Sequence, residues 1–321
     1  MGMLDRVLRV ADPVGHRADG GLIIDAAALA QGRLPVMQAL QLARNIQRPH
    51  SAQLIGTVFD RFQELHGDRG YRDDPAVIGG IAELAGRAVV VVGQQKGGST
   101  EENIQRSFGM PHPEGYRKAV RLYRLAEKFG LPLVTFIDTP GAHPGPEAEE
   151  RGQAEAIARS IQVMTDLGTP IIAVVIGEGG SGGALALGVA DVVLAFENSV
   201  YSVITPEGCA AILWRSATES EKAAKALRSG APDLLDLGIV DALVPEPPGG
   251  AHEDPPAMAA SLRTALLAQL AQLSNIALPD LLAARYDRFR GLGVYNDPGA
   301  IEAERAKPWW RRALDRAGVP S

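Results

Sequence analysis

The 321-residue chain has a net charge of −6 and no block of Lys or Arg, which argues against nucleic acid or an anionic membrane as its partner. Its single cysteine, Cys209, excludes a disulfide framework and a thiolate zinc site, and its six histidines offer no ligand spacing, so no metal is expected. No apolar run is long enough to span a bilayer and the start of the chain lacks a charged-then-apolar leader, so a cytoplasmic protein is expected, its length allowing one large α/β domain with appendages or two small domains.

Residues 1–33 are weakly patterned. Pro35 precedes V-M-Q-A-L-Q-L-A-R, which predicts a short helix ending before Pro49. Ser51 reads as the N-cap of a helix running through Phe59, Phe62 and Leu65, followed by a polar loop from His66 to Pro75. Val77 to Leu84 and Arg87 to Gly93 read as strands of a hairpin turning at Ala85-Gly86. Gln94 to Gly109 is a polar, glycine-bearing loop. An amphipathic helix then carries Val120, Leu122, Tyr123 and Ala126 toward Phe129-Gly130.

Leu131 to Ile137 predicts a buried strand that runs into D-T-P-G-A-H-P-G, Asp138 to Gly145. A helix follows over 148–167, with Ala154, Ile157, Ala158, Ile161 and Met164 at helical spacing. Ile171 to Ile176 is an apolar, β-branched strand, after which come Gly177, Gly179, Gly180, Gly182 and Gly183, with Ala184 to Gly188 opening a small-residue helix. Strands at Val192–Phe196 and Val200–Ile204 precede a helix capped by Thr205-Pro206-Glu207 and ending at Trp214. Helices at Ser220–Arg228 and Pro232–Leu237, a strand at Gly238–Val244, and helices at Pro256–Leu273 and Pro279–Leu292 complete the pattern. Residues 294–321 read as a tail anchored by Trp309-Trp310. Strands alternating with helices predict an α/β layered core with helical additions.

The glycine cluster admits three readings. A nucleoside-phosphate loop needs Lys then Ser or Thr after the glycines, and Ala184 and Leu185 stand there instead. Close packing of a strand against a helix is the second. The third is a turn of bare backbone whose N–H groups, at a helix start, hold an anion or a developing oxyanion. The strand-loop-helix pattern recurs at V-T-F-I-D-T-P-G-A-H-P-G, and two such turns flanking one cleft favour the functional reading.

Side chains around these turns offer little chemistry. Asp138 reads as a turn-forming Asp bonded to its own backbone or as a site acid, and Glu178 as a cap or as a group that orients the loop. Ser181 has no recognisable base, His143 reads as a loop histidine, and Cys209 as a helix-packing residue. Main-chain donors therefore carry the stabilisation, and the proton carrier comes from the substrate or another chain.

H-G-D-R (66–69), N-x-x-x-S-F-G-M-P-H-P-E-G-Y-R-K-A (103–119), F-I-D-T-P-G-A-H-P-G (136–145), A-E-E-R-G-Q-A-E-A-I-A-R (148–159), V-I-G-E-G-G-S-G-G-A-L-A-L-G (175–188), N-S-V-Y-S-V-I-T-P-E-G-C-A-A-I-L-W (198–214) and P-E-P-P-G-G-A-H (245–252) closely resemble the α-subunit family of bacterial acetyl-CoA carboxylase carboxyltransferases. The resemblance covers Leu34 to Gly293. It implies a crotonase-like spiral of ββα units with added N- and C-terminal helices. The implied organisation is a shortened N-terminal helical extension (1–48), a carboxyltransferase domain (49–293) and a C-terminal tail (294–321). By motif position it implies that the amides of Gly182 and Gly183 form the oxyanion hole for carboxybiotin. Gly179, Gly180, Pro140, Gly141 and Ala142 then shape the biotin side of the cleft.

The resemblance further implies transfer of a carboxyl group from carboxybiotin, on a biotin carboxyl carrier protein, to acetyl-CoA, giving malonyl-CoA for fatty acid synthesis. Implied partners are a β subunit in an α2β2 assembly, which alone holds zinc, and a biotin carboxylase, which uses ATP. Two departures stand out: Q-Q-K-G-G-S-T (94–100) where the family commonly has H-Q-K-G-R-D-T, and His143 where Tyr is common. A stand-alone crotonase-type acyl-CoA enzyme and a non-catalytic assembly subunit are the alternatives, separable by assaying the chain with and without its partner.

Overall fold

Helices α1 (Val36–Ala43) and α2 (Ser51–Val58) open the part of the chain that the structure, a computed structural model, describes, residues 34–293. The expectations for residues 1–33 and for 294–321, Trp309-Trp310 included, lie outside the described residues. Next come β1 (Arg61–Glu64), β2 (Val77–Leu84), β3 (Arg87–Gln94), α3 (Thr100–Gln105) and α4 (Pro113–Phe129). β4 (Leu133–Thr139), α5 (Pro146–Glu150), α6 (Gln153–Thr165), β5 (Ile171–Gly180) and α7 (Ser181–Leu185) form the middle of the chain. Then follow β6 (Val192–Phe196), β7 (Val200–Ser202), α8 (Pro206–Trp214), α9 (Ser220–Leu227), α10 (Ala231–Asp236), β8 (Ala242–Val244), α11 (Pro255–Leu273) and α12 (Leu278–Arg290).

One sheet runs in the order β1-β2-β3-β4-β5-β6-β8, antiparallel from β1 to β3 and parallel from there on. Gly93 pairs with Phe136 and Phe136 with Val174, so the carboxyl ends of β3, β4 and β5 reach the same edge. β5 is long enough to take β6 along Ile172–Val175 and β7 along Glu178–Gly180.

Side chains alternate across a strand, so a strand apolar at every position must be covered on both faces. Ile172, Val174 and Ile176 pack with Leu54, Ile55 and Val58 of α2 and Leu262 and Leu266 of α11. On the other face Ile171, Ala173 and Val175 pack with Tyr116, Ala119, Leu122 and Tyr123 of α4 and Val163 and Met164 of α6. The result is the layered α/β core that the alternation predicts. No single described helix is long and apolar enough to cross a membrane.

Several boundaries differ from the sequence reading, each for a physical reason. The helix expected through Leu65 stops at Val58, and His50, not Ser51, is its N-cap. Phe59, Phe62 and Leu65 mimic a helical period, but Phe59 is extended, the Asp60 carboxylate accepts from the Ala85 N–H (2.7 Å), and 61–64 add to the edge of β2. The single helix expected over 148–167 is two, broken where Gly152 takes φ +81°, a left-handed conformation that glycine adopts at little cost. The loop from Gln94 contains α3, whose N-cap Ser99 accepts from the Glu102 N–H. The strand expected to end at Ile176 runs on through the glycines to Gly180, and the helix starts at Ser181 rather than Ala184. β7 stops at Ser202, short of the expected Ile204, and β8 covers only Ala242–Val244 of the expected Gly238–Val244.

Candidate active site

The two glycine turns predicted to flank one cleft are in backbone contact. β4 and β5 are neighbours, with Thr139 opposite Gly179, so their carboxyl-end turns start side by side. A Cβ on Gly180 would lie 2.1 Å from the Pro140 carbonyl oxygen, and one on Gly183 would lie 2.6 Å from the Gly141 carbonyl carbon and 2.7 Å from the Ala142 nitrogen. Only glycine lets the two main chains approach that closely. Gly182 is different: a Cβ there would meet only Ile157, at 3.6 Å. Gly179 lies inside β5 beneath the Tyr201 ring, so its missing side chain makes room for that ring.

Ser181, Gly182 and Gly183 begin α7, where amides have no carbonyl four residues back to bond. Between strand and helix, exposed Ser181 holds φ +53°, a left-handed conformation that costs a non-glycine residue on the order of 1 kcal/mol or more. This turn therefore has a fixed, strained shape whose main-chain donors are presented at a strand–helix junction.

A buried polar network supports the turns from below. Gln94, at the end of β3 and fully buried, accepts from the Asp138 N–H (3.1 Å) and donates to the Gly183 carbonyl (2.6 Å). One side chain thus fixes the end of β4 and the first turn of α7 together. The Thr139 hydroxyl donates to the Gly141 carbonyl (2.6 Å) and accepts from the Gly141 N–H (3.1 Å), closing the turn.

Asp138 is not the turn former that one reading makes it. Its carboxylate receives Lys96 Nζ at 2.8 Å, His50 Nδ1 at 3.1 Å and the Glu178 N–H at 3.1 Å. Burial alone would raise this carboxyl, but the Lys96 charge and the His50 contact outweigh it and hold it far below the usual carboxylate range. Asp138 is therefore a permanently charged strut with its oxygens engaged, unsuited to proton transfer. Glu178 bonds Arg44 (2.8 Å) and faces Lys96 (3.5 Å), and Arg44 continues to Glu207 (3.0 Å), so it orients rather than caps.

In the sequence Gln94 and Lys96 stand out only as part of the departing string 94–100, and nothing marks His50 or Arg44. Each meets its partner across 40 or more positions, and no local spacing announces such pairs. Nor are all the histidines scattered, as the sequence suggests: His112 and His143 stack with centroids 3.9 Å apart, beside Glu147. Cys209 packs with Ala210 and Ala223, as expected.

Comparison with known proteins points one way. A profile of the family described as "Acetyl co-enzyme A carboxylase carboxyltransferase-like" matches residues 26–293. The chain is 57% identical over 265 residues to the acetyl-coenzyme A carboxylase carboxyl transferase subunit alpha of Methylococcus capsulatus, covering 83% of each. It is 57% identical over 261 residues to that of Thermus thermophilus, covering 81% of this chain and 83% of the relative. Against that of Pseudomonas paraeruginosa the identity is 52% over 290 residues, covering 90% and 91%.

Among solved structures, a transcarboxylase 12S with methylmalonyl-coenzyme A bound superposes with a TM-score of 0.59 at 20% identity, covering 79% of this chain and 46% of that one. The beta subunit of P. aeruginosa geranyl-CoA carboxylase superposes with a TM-score of 0.56 at 20% identity, covering 76% and 46%. This chain thus spans a little under half the length of those solved chains. They share its α/β fold, the crotonase-like one that the family resemblance implies.

Proposed function

This chain belongs to the acetyl-CoA carboxylase carboxyltransferase α-subunit family, and from that premise we propose that its glycine turn is the site of charge stabilisation during carboxyl transfer to acetyl-CoA. The protein is a biotin-dependent carboxyltransferase subunit that acts with a β subunit on an acyl-CoA. In this reading the carboxyl donor is biotin carried on a carrier protein, charged by an ATP-using biotin carboxylase. The complex is a cytoplasmic α2β2 assembly whose β subunit carries zinc.

The residues present fit such a donor. A biotin ureido group would be flat and would present its oxygen to hydrogen-bond donors. Two abutting backbone turns, built largely of glycine, offer it main-chain N–H donors at close quarters. Carboxylated biotin, when bound, supplies the carboxyl group and then the base that takes the acyl methyl proton. The Gly182 and Gly183 amides donate to the oxygen on which charge develops, in a turn already set in shape. Pro140, Gly141 and Ala142 form the opposing wall, with Gly180 letting that wall close in. Gln94, through the Gly183 carbonyl, keeps the donors aimed, and the Asp138–Lys96 pair holds the floor rigid. That Asp138 is locked as a carboxylate agrees with a reaction in which this chain contributes no general base.

The backbone contact between Gly183 and the Gly141–Ala142 turn carries this reading, and it also supplies the test. With the β partner and carboxylated carrier present, Gly183→Ala must displace one turn from the other, and malonyl-CoA formation falls by about 10²-fold or more. Gly182→Ala keeps its N–H and meets only Ile157, so it retains activity within a few fold. Both variants still assemble with the partner. Full turnover in Gly183→Ala would refute the assignment.

A further inference from the structure

The loop after β4 meets the start of α4 at a cluster that the carboxyl transfer does not use. His112 is the N-cap of α4, and His143 and Glu147 sit on either side of the start of α5. One ligand atom from each of the three lies within 4.8 Å of the others. We propose that His112, His143 and Glu147 form a binding site for one divalent cation of the zinc class.

The separations favour an ion over simple contact. Glu147 Oε1 is 3.7 Å from His112 Nε2 and 3.5 Å from His143 Nδ1. These gaps are wider than a good hydrogen bond. They match donors arranged tetrahedrally about one ion, which stand about 3.4 Å apart when each is about 2.1 Å from it. His143 Nδ1 accepts from the Gly145 N–H at 3.1 Å, so the ring proton sits on Nε2 and the Nδ1 lone pair exchanges that bond for the ion. His112 Nδ1 faces the buried Asp74 carboxylate at 4.0 Å, beyond hydrogen-bond reach, and Nε2, on the Glu147 side, is left for the ion.

A second observation points to the same place. The amide of Gln153 donates to the Pro111 and His143 carbonyls, at 2.9 and 3.0 Å, and so braces the backbone at both histidines. Its own oxygen is buried with no hydrogen-bond partner among the described residues. Two neutral imidazoles and one carboxylate leave a divalent ion partly uncompensated, a set that takes water as a further ligand. Loading the ion needs only a small turn of His143, which is half buried, to release the Gly145 N–H, and Glu147 lies on the exposed side. The bound ion then clamps the loop that carries Gly141 and Ala142 to the start of α4.

Titration of the full-length, chelator-stripped chain with Zn2+, and with Co2+ as a coloured probe, tests this. One equivalent binds saturably, and the Co2+ ligand-field bands change when His112 is replaced. His143→Tyr, which keeps a ring against His112, and Glu147→Gln, at a half-exposed position, each weaken Zn2+ binding by tenfold or more. His252→Ala, at a His–Glu pair without a third ligand, leaves it unchanged. Zn2+ raises the melting temperature of the wild-type chain and not of His143→Tyr, a readout independent of activity. Failure to bind one equivalent, or binding undiminished in folded His143→Tyr and Glu147→Gln, overturns the proposal and leaves the carboxyltransferase reading untouched.

Discussion

Gln94 joins more of the candidate site than any residue visible in the glycine motifs themselves. Its amide oxygen and nitrogen are both committed, to the Asp138 N–H and the Gly183 carbonyl. Gln94→Leu keeps much of the volume but leaves both partners buried without a bond, at a cost of about 1–3 kcal/mol for each. The variant unfolds at lower denaturant. Because the donors lose their aim rather than their identity, kcat falls more than KM for acetyl-CoA. Unchanged kcat in a measurably destabilised variant would make Gln94 a packing residue only. At this scale the sequence was half legible. The glycines, Asp138 and Glu178 stand in recognisable strings, and physics alone suggested a bare-backbone anion site. The residues that hold those strings in place carry no pattern, because Gln94 and Gly183 meet only once β3 and α7 are folded.

Elements were legible where apolar periodicity ran unopposed and illegible where a single backbone event intervened. β3, β4, β6 and α4 lie close to where their patterns put them. The break between α5 and α6 rests on the conformation of Gly152, and β1 on pairing with β2, which no spacing within 61–64 encodes. α12 shows how a helix with a weak apolar stripe is still held firmly. Arg285 is almost fully buried and donates to the Met164, Leu167 and Thr169 carbonyls, at 2.9, 2.8 and 2.9 Å, and to both oxygens of Asp191, at 2.8 and 2.9 Å. Asp191 in turn accepts from the Ile171 N–H at 2.7 Å, at the first residue of β5. Arg285→Ala removes the cation and leaves a buried carboxylate and three carbonyls stranded, so stability falls by roughly 3–5 kcal/mol. Urea unfolding measures it. A loss under about 1 kcal/mol would mean that α12 is docked by apolar packing alone, through Leu281 and its neighbours.

On the scale of the whole molecule, four distant stretches converge on one ion pair above the carboxyl end of β5. Arg48, between α1 and α2, donates to the Ile176 carbonyl at 2.6 Å and forms a buried two-pronged pair with Glu246, just after β8. Glu246 also accepts from the Asn198 N–H (3.0 Å), the Asn198 side chain (3.1 Å) and the Ala251 N–H (2.8 Å). Burial alone would raise this carboxyl, but Arg48 and Asn198 outweigh it and lower it below the ordinary value. The folded state therefore binds a proton here less readily than the unfolded chain, whose Glu titrates near 4.3. The sign follows: the stabilisation from Glu246 is fully present above about pH 4.3 and is lost as pH falls through its lower folded value. Asp73, drawn down to about 2 by the Lys118 contact against the opposing effect of burial, adds a smaller loss in the same direction, since its carboxylate is largely solvated. Glu246→Gln should thus cost about 3–5 kcal/mol at pH 7, where it breaks a buried charge pair. The gap from wild type should narrow steadily below pH 4, as protonation makes the native side chain resemble the amide. Denaturant unfolding of both proteins between pH 7 and pH 3 reads that gap directly. A gap that stays constant with pH would mean that shape and hydrogen bonding at Glu246, rather than its charge, hold the chain's early and late segments to the edge of the sheet where the glycine turn lies.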